Sequence, residues 1–197
     1  MGNASVALAP DCVPPTDPIL DAAWTMVVRL FPRLYSAQLG ELGKLPWLDA
    51  PALRALQREV ASGSRRGRRD SGRRPGPNGR KLAIDPRLMR LASRALGRPV
   101  KAAYCARYLF YTRAGDHFWP HPDDPEYPVN VLVCLDRQLP AGAERGSASL
   151  AYYPDGRVER YELAPGEALA VEARGLIHGR EPLQPGERIV LLSIAAA

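Results

Sequence analysis

Histidine is scarce in this chain: three occur in 197 residues, at His117, His121 and His178. Any imidazole chemistry is therefore confined to those positions. Cysteine is equally rare. Cys12, Cys105 and Cys134 are odd in number and include no Cys-x-x-Cys spacing, which argues against a disulfide framework or a zinc knuckle. Cys105 and Cys134 stand in apolar runs and read as buried small hydrophobes, and the usage suits a reducing, cytoplasmic setting. Long apolar runs are missing too. No stretch of 18 or more exists, so no transmembrane helix is expected. The N-terminus has no charged segment ahead of its short apolar stretch, and residues 1–15 read as a flexible tail, not a signal peptide.

The net charge of +6 is local. Eight basic residues (Arg65, Arg66, Arg68, Arg69, Arg73, Arg74, Arg80 and Lys81) face one acid, Asp70, between Ser62 and Lys81, and the rest of the chain is close to neutral. This segment is rich in Gly, Pro and Arg and poor in apolar residues, so it reads as a mobile loop over 62–81. Eight cations can neutralise phosphates. The segment has no interleaved aromatics, however, and the balance favours a solvated loop over a nucleic-acid surface.

The pattern changes once along the chain. Residues 18–39 carry apolar positions at helical spacing, with Pro32 as a kink. A second helix follows Asp49, and a third runs from an Asp85 N-cap through Pro86 to Gly97. From Pro99 onward the chain reads as strands divided by turns, including a hairpin around Pro154-Asp155-Gly156. The expected fold class is α+β, a single domain over 16–197. Its helical part covers 16–98 and an antiparallel barrel or sandwich covers 99–197.

His121 and Asp123 stand two residues apart, and on extended backbone such side chains project to the same side. A second His arriving from another strand would complete a three-cornered face of two imidazoles and one carboxylate, the arrangement that suits non-haem Fe(II) with positions left open. Taken alone, His-x-Asp is weak and a Pro-rich surface turn is the better reading. The context is what strengthens it: His178 follows a strand and a Gly turn, and Arg188 opens the next apolar strand ten residues on. Arg suits a dicarboxylate because its planar fork pairs bidentately with carboxylate.

Together, "YTRAGDHFWPHPD", "EALAVEARGLIHG" and "PLQPGER" resemble the 2-oxoglutarate/Fe(II)-dependent oxygenases, closest to their prolyl-hydroxylase-like branch. The resemblance covers roughly residues 100–197 and implies a double-stranded β-helix (jelly-roll) core. It implies Fe(II) held by His121, Asp123 and His178, with Asp124 as the fallback carboxylate. It implies 2-oxoglutarate and O2 as cosubstrates, with ascorbate as an optional reductant, and Arg188 on the distal 2-oxoglutarate carboxylate. Two departures stand out. Val190 replaces the Ser many relatives carry two residues after the Arg, leaving Ser193 as the nearest hydroxyl. Phe118 stands where that branch often has Tyr, so the hydroxyl would have to come from Tyr108 or Tyr111, which project to opposite faces of a regular strand. His117, Trp119, Arg107 and Asn130 are candidates to line a substrate pocket. The implied reaction is hydroxylation of an amino acid, a peptide or a small-molecule or carrier-bound intermediate. The alternative is a cupin-type metal enzyme without 2-oxoglutarate.

Overall fold

The computed structural model describes residues 38–61, 72–101, 103–123 and 126–197, together with Ala22, Met26 and Leu30, which are helical. The expected tail, the Pro32 kink, most of the helix over 18–39 and residues 62–71 of the basic loop lie outside the described residues. So does Asp124.

In chain order the elements are β1 (Leu39–Lys44), α1 (Ala50–Ala61), α2 (Pro77–Ala83), α3 (Pro86–Ala95), β2 (Ala103–Tyr111), β3 (Phe118–His121), β4 (Val129–Gln138), β5 (Ser149–Tyr152), β6 (Val158–Tyr161), β7 (Glu167–Val171), β8 (Ile177–Arg180) and β9 (Arg188–Ala196). The Asp49 carboxylate accepts from the Ala52 amide at 2.9 Å at the start of α1. At the start of α3, Asp85 accepts from the Arg87 amide at 2.9 Å. Both aspartates thereby satisfy amides that a helix start leaves without partners.

The strands form two antiparallel sheets. One has the order β1-β7-β4-β9-β2 and the other β3-β8-β5-β6. From β2 onward the chain passes back and forth between them, staying in one sheet only across the β5–β6 hairpin. Side-chain alternation divides the five-stranded sheet into two faces. Val129, Val131 and Val133 of β4 and Val190, Leu192 and Ile194 of β9 pack with Leu56, Val60, Leu88 and Ala92 of the helices. Cys134, Ile189 and Leu191 turn to the opposite side and cluster with Tyr111 and Leu183. Ala151 of the four-stranded sheet meets Leu169 and Val171 of the five-stranded sheet on that same side, so these inner faces enclose the interior.

The helical half departs from the sequence expectation in two places. Residues 39–44, placed above in the helical part, form β1 on the edge of the large sheet beside β7. Residues 72–81 do not continue a loop. Arg73 exchanges backbone hydrogen bonds with Tyr108, at 3.0 and 2.7 Å, covering the free edge of β2, and Pro77 begins α2. Glu59 is the reason this segment is ordered. Its carboxylate accepts from the amides of Asn78 at 2.8 Å and Gly79 at 3.2 Å at the start of α2, and from the Tyr108 hydroxyl. Burial alone would raise the Glu59 pKa, but the Tyr108 hydroxyl and the Asn78, Gly79 and Gly76 amides outweigh it and hold the carboxyl below its ordinary range.

Gly79 allows this packing because it has no side chain. A Cβ there would run into the Tyr108 hydroxyl and lie 2.7 Å from the Pro75 Cβ. Gly79→Ala is expected to destabilise the protein by about 1–3 kcal/mol through overpacking, read as a lower urea midpoint with an unchanged slope.

Candidate metal centre

β3 and β8 lie side by side in the four-stranded sheet, and their register sets His121 directly opposite His178. Two histidines 57 positions apart in the chain are thereby closed into one cross-strand pair, with ring centroids 4.7 Å apart. Asp123 leaves the end of β3 with its amide bonded to the Ala173 carbonyl at 2.8 Å, in the turn that precedes β8. Its Oδ1 sits 3.2 Å from His121 Nε2 and 3.6 Å from His178 Nε2. Among the described residues these three form the group able to hold a metal, their donor atoms all within 4.8 Å of one another.

Both rings are oriented for coordination. His121 Nδ1 lies 2.8 Å from the Trp119 carbonyl and His178 Nδ1 3.0 Å from the Leu176 carbonyl. A carbonyl can only accept, so each Nδ1 carries the proton and each Nε2 turns a lone pair toward Asp123. The charges suit the same role. Burial lowers the His178 pKa, with His121 adding to that and Asp123 opposing it, so the ring stays neutral to lower pH than an ordinary histidine. Burial would raise the Asp123 pKa, but His121, His178 and the Asn130 amide outweigh it and favour the carboxylate. Two neutral imidazoles and one carboxylate fit a divalent ion such as Fe(II), with the opposite coordination face open.

Asn130, expected above to line a substrate pocket, holds this carboxylate. Its Nδ2 donates to Asp123 Oδ2 at 3.1 Å, and its Oδ1 accepts from the Ser193 hydroxyl at 3.0 Å. Ser193 thus reaches the centre through Asn130. Asn130→Ala is expected to weaken metal affinity by about 10–100-fold with little change in fold, measured by titration of Mn(II) into the metal-free protein.

The remaining expected residues separate. Tyr111 faces the interior, where the Arg180 guanidinium lies 5.1 Å over its ring. Tyr108 is fully buried on the helix side and bonded to Glu59, so it does not share the interior with the metal triad. Arg188 opens β9, as expected, on the other sheet from His178. β9 belongs to the five-stranded sheet and β8 to the four-stranded one. On β9, Arg188 is in step with Val190 and Leu192, which face the helices. Its Nη2 pairs at 3.2 Å with Oδ2 of Asp136, the register partner of Val190. His117 stands edge-on to Trp119 with centroids 4.4 Å apart, bonds the Gly115 carbonyl and is not part of the ligand group; Trp119 is 56% exposed. Arg107 is exposed on β2, its stem beside Gly72. Phe118 lies edge-on against His121, at 4.4 Å between centroids.

Sequence reasoning missed Arg180, which follows His178 by two residues on β8 and is only 7% exposed. The available signal was its place in "LIHGRE": on a strand it must share the face of His178.

No protein-family model matches the sequence, and no curated protein matches it. Solved structures do share the fold. SnoN, a non-haem α-ketoglutarate-dependent epimerase from nogalamycin biosynthesis, aligns at TM-score 0.61 and 19% identity over 89% of this chain and 83% of its own. An oxidoreductase of the 2OG-Fe(II) oxygenase family from Burkholderia pseudomallei aligns at 0.60 and 17%, over 88% of each chain. A prolyl-4-hydroxylase from Pseudomonas putida aligns at 0.60 and 16%, over 89% of this chain and 97% of its own. The fold is that of the 2-oxoglutarate/Fe(II) oxygenases, the same class the sequence motifs resemble. Among the described residues no helix is long and apolar enough to cross a membrane.

Proposed function

We propose that the protein is an Fe(II)- and 2-oxoglutarate-dependent oxygenase built on a jelly-roll core, acting in a cytoplasmic setting. We further propose that it hydroxylates an unactivated C–H bond of an amino acid, a peptide or a natural-product intermediate. The observation that carries this is the convergence of His121, Asp123 and His178, oriented by carbonyls and by Asn130, within a fold shared with oxygenases of that class. The alternation of strands between two sheets supports the jelly-roll reading.

In this reading His121, Asp123 and His178 hold the ion, and Fe(II) with 2-oxoglutarate supplies the activation of O2, with succinate and CO2 as coproducts. The chain's own part is geometric and electrostatic. The Trp119 and Leu176 carbonyls fix the imidazole tautomers, Asn130 fixes the carboxylate rotamer, and the closed inner face around Leu169, Leu176 and Ala151 keeps water from the far side of the site. In this reading the exposed Trp119 and Arg107 would meet the prime substrate.

Purified protein supplied with Fe(II), 2-oxoglutarate and O2 is expected to form succinate slowly without a prime substrate and faster with a suitable one, and Asp123→Ala protein to form none. Protein that binds Fe(II) yet never consumes 2-oxoglutarate with any candidate substrate would refute the proposal.

A further inference from the structure

We infer that Arg180 on β8, and not Arg188 on β9, grips the distal carboxylate of the 2-oxo acid. The inference rests on the reading that this site uses 2-oxoglutarate, and it deepens that reading.

Arg180 is a buried cation with no carboxylate of its own. It is 7% exposed and forms no ion pair among the described residues. Nη1 donates to Ser149 Oγ at 3.3 Å, and Nη2 donates to the Ser147 carbonyl and hydroxyl, both at 3.1 Å. Nε is buried and has no hydrogen-bond partner. The Glu187 carboxylate makes no ion pair with Arg180; it acts on it at longer range and through the Ser147 hydroxyl, which donates to it at 3.0 Å. Arg137, 3.9 Å from Glu187 and 2.8 Å from Glu162, competes for that same charge. Burying a guanidinium costs several kcal/mol unless an anion and a full set of hydrogen bonds compensate it. Neutral oxygens and a tyrosine ring face meet only part of that requirement here.

Position supplies the rest. Arg180 is two residues beyond His178 on one strand, so both side chains enter the interior from the same face, their backbones roughly 7 Å apart. A short dicarboxylate held at the metal by its 2-oxo acid end would have this guanidinium within reach of its other carboxylate along β8. Ser149 lies opposite Arg180 on β5, as Ala151 lies opposite His178, so the strand next door offers a hydroxyl at the carboxylate end and a methyl at the metal end. Arg188 also has a buried Nε without a hydrogen-bond partner, but it is otherwise different: it is partly exposed, paired with Asp136 and in step with the helix-facing side of its strand.

The test compares two 2-oxo acids by calorimetric titration into Mn(II)-loaded protein without O2: 2-oxoglutarate, and 2-oxopentanoate, which carries a methyl in place of the distal carboxylate. The wild type should bind 2-oxoglutarate on the order of 100-fold more tightly. Arg180→Gln should erase that preference while retaining Mn(II) and 2-oxopentanoate affinity. Arg188→Gln should keep it. Arg180→Lys, which preserves charge without the planar fork, should keep only part. Loss of the preference in Arg188→Gln, or its survival in Arg180→Gln, would overturn the assignment. Should Arg180→Gln fail to fold by circular dichroism, the Arg180→Lys and Arg188→Gln arms decide on the same criterion. Wild-type protein that binds Mn(II) and neither acid defeats the oxygenase reading itself. Wild-type protein that binds both equally defeats only the role of Arg180.

Discussion

Asp123→Ala protein is expected to lose divalent-metal affinity by more than the 100-fold or so that marks the upper range for residues outside the ligand set. Asp123 supplies the only formal negative charge among the three donors, 3.2 and 3.6 Å from the two Nε2 atoms. Without it, two neutral imidazoles remain, and dehydrating a dication for nitrogen ligands alone is far less favourable. The carboxylate is also the member that the chain holds most firmly, by its own amide on Ala173 and by the Asn130 amide on Oδ2. Titration of Mn(II) into the wild type, Asn130→Ala and Asp123→Ala should therefore give three graded affinities. Equal affinities for Asp123→Ala and the wild type would remove the centre.

The largest effect on stability is expected at Glu181, the residue after Arg180. Its side chain is wholly buried and takes a two-pronged ion pair from Arg160, Nε to Oε1 at 2.8 Å and Nη2 to Oε2 at 2.7 Å, plus the Ala148 amide at 2.8 Å. Arg160 is itself 11% exposed. Glu181→Ala takes the two-pronged anion from a nearly buried guanidinium, leaving Glu162 at 3.9 Å as a looser partner, and leaves a buried amide without its carboxylate acceptor. A loss of about 3–5 kcal/mol follows for breaking such a pair from one side, a large share of the roughly 5–15 kcal/mol that holds a domain folded. Urea denaturation followed by circular dichroism measures it; a loss below about 1 kcal/mol would mean that water reaches Arg160 freely.

The metal triad was legible because its grammar is local. His121 and Asp123 share a side on any extended backbone, and His178 was the remaining histidine beside a strand-like run. The placement of Arg180 and Arg188 was not legible, because it depends on which sheet a strand joins and which face it turns inward. Ten residues separate His178 from Arg188, but that interval contains a crossing from one sheet to the other, and β9 arrives with Arg188 in step with Val190. The same ambiguity hid Arg180, whose polar character suggests a surface although its strand parity places it inside. In the helical half, "PNGRKLA" looks like loop on composition, and its helix depends on Glu59, eighteen residues upstream of Pro77, and on the Tyr108 hydroxyl. "LGELGK" carries two glycines and no β-branched residue, and it becomes a strand because β7 offers it an edge.

The pairing of β3 with β8 has a consequence for assembly. β3 is four residues long, lies at the margin of its sheet, touches a neighbouring strand on one side only and is interrupted between Phe118 and His121. By backbone bonding alone it is among the weakest strands of the molecule. An ion shared by His121, Asp123 and His178 would act as a clasp, riveting this strand to β8 and drawing the energy of coordination into the folding of the margin. Loading and closure of the site would then be one event, and the strand that presents Phe118 and Trp119 outward would become firm only when the centre behind it is filled.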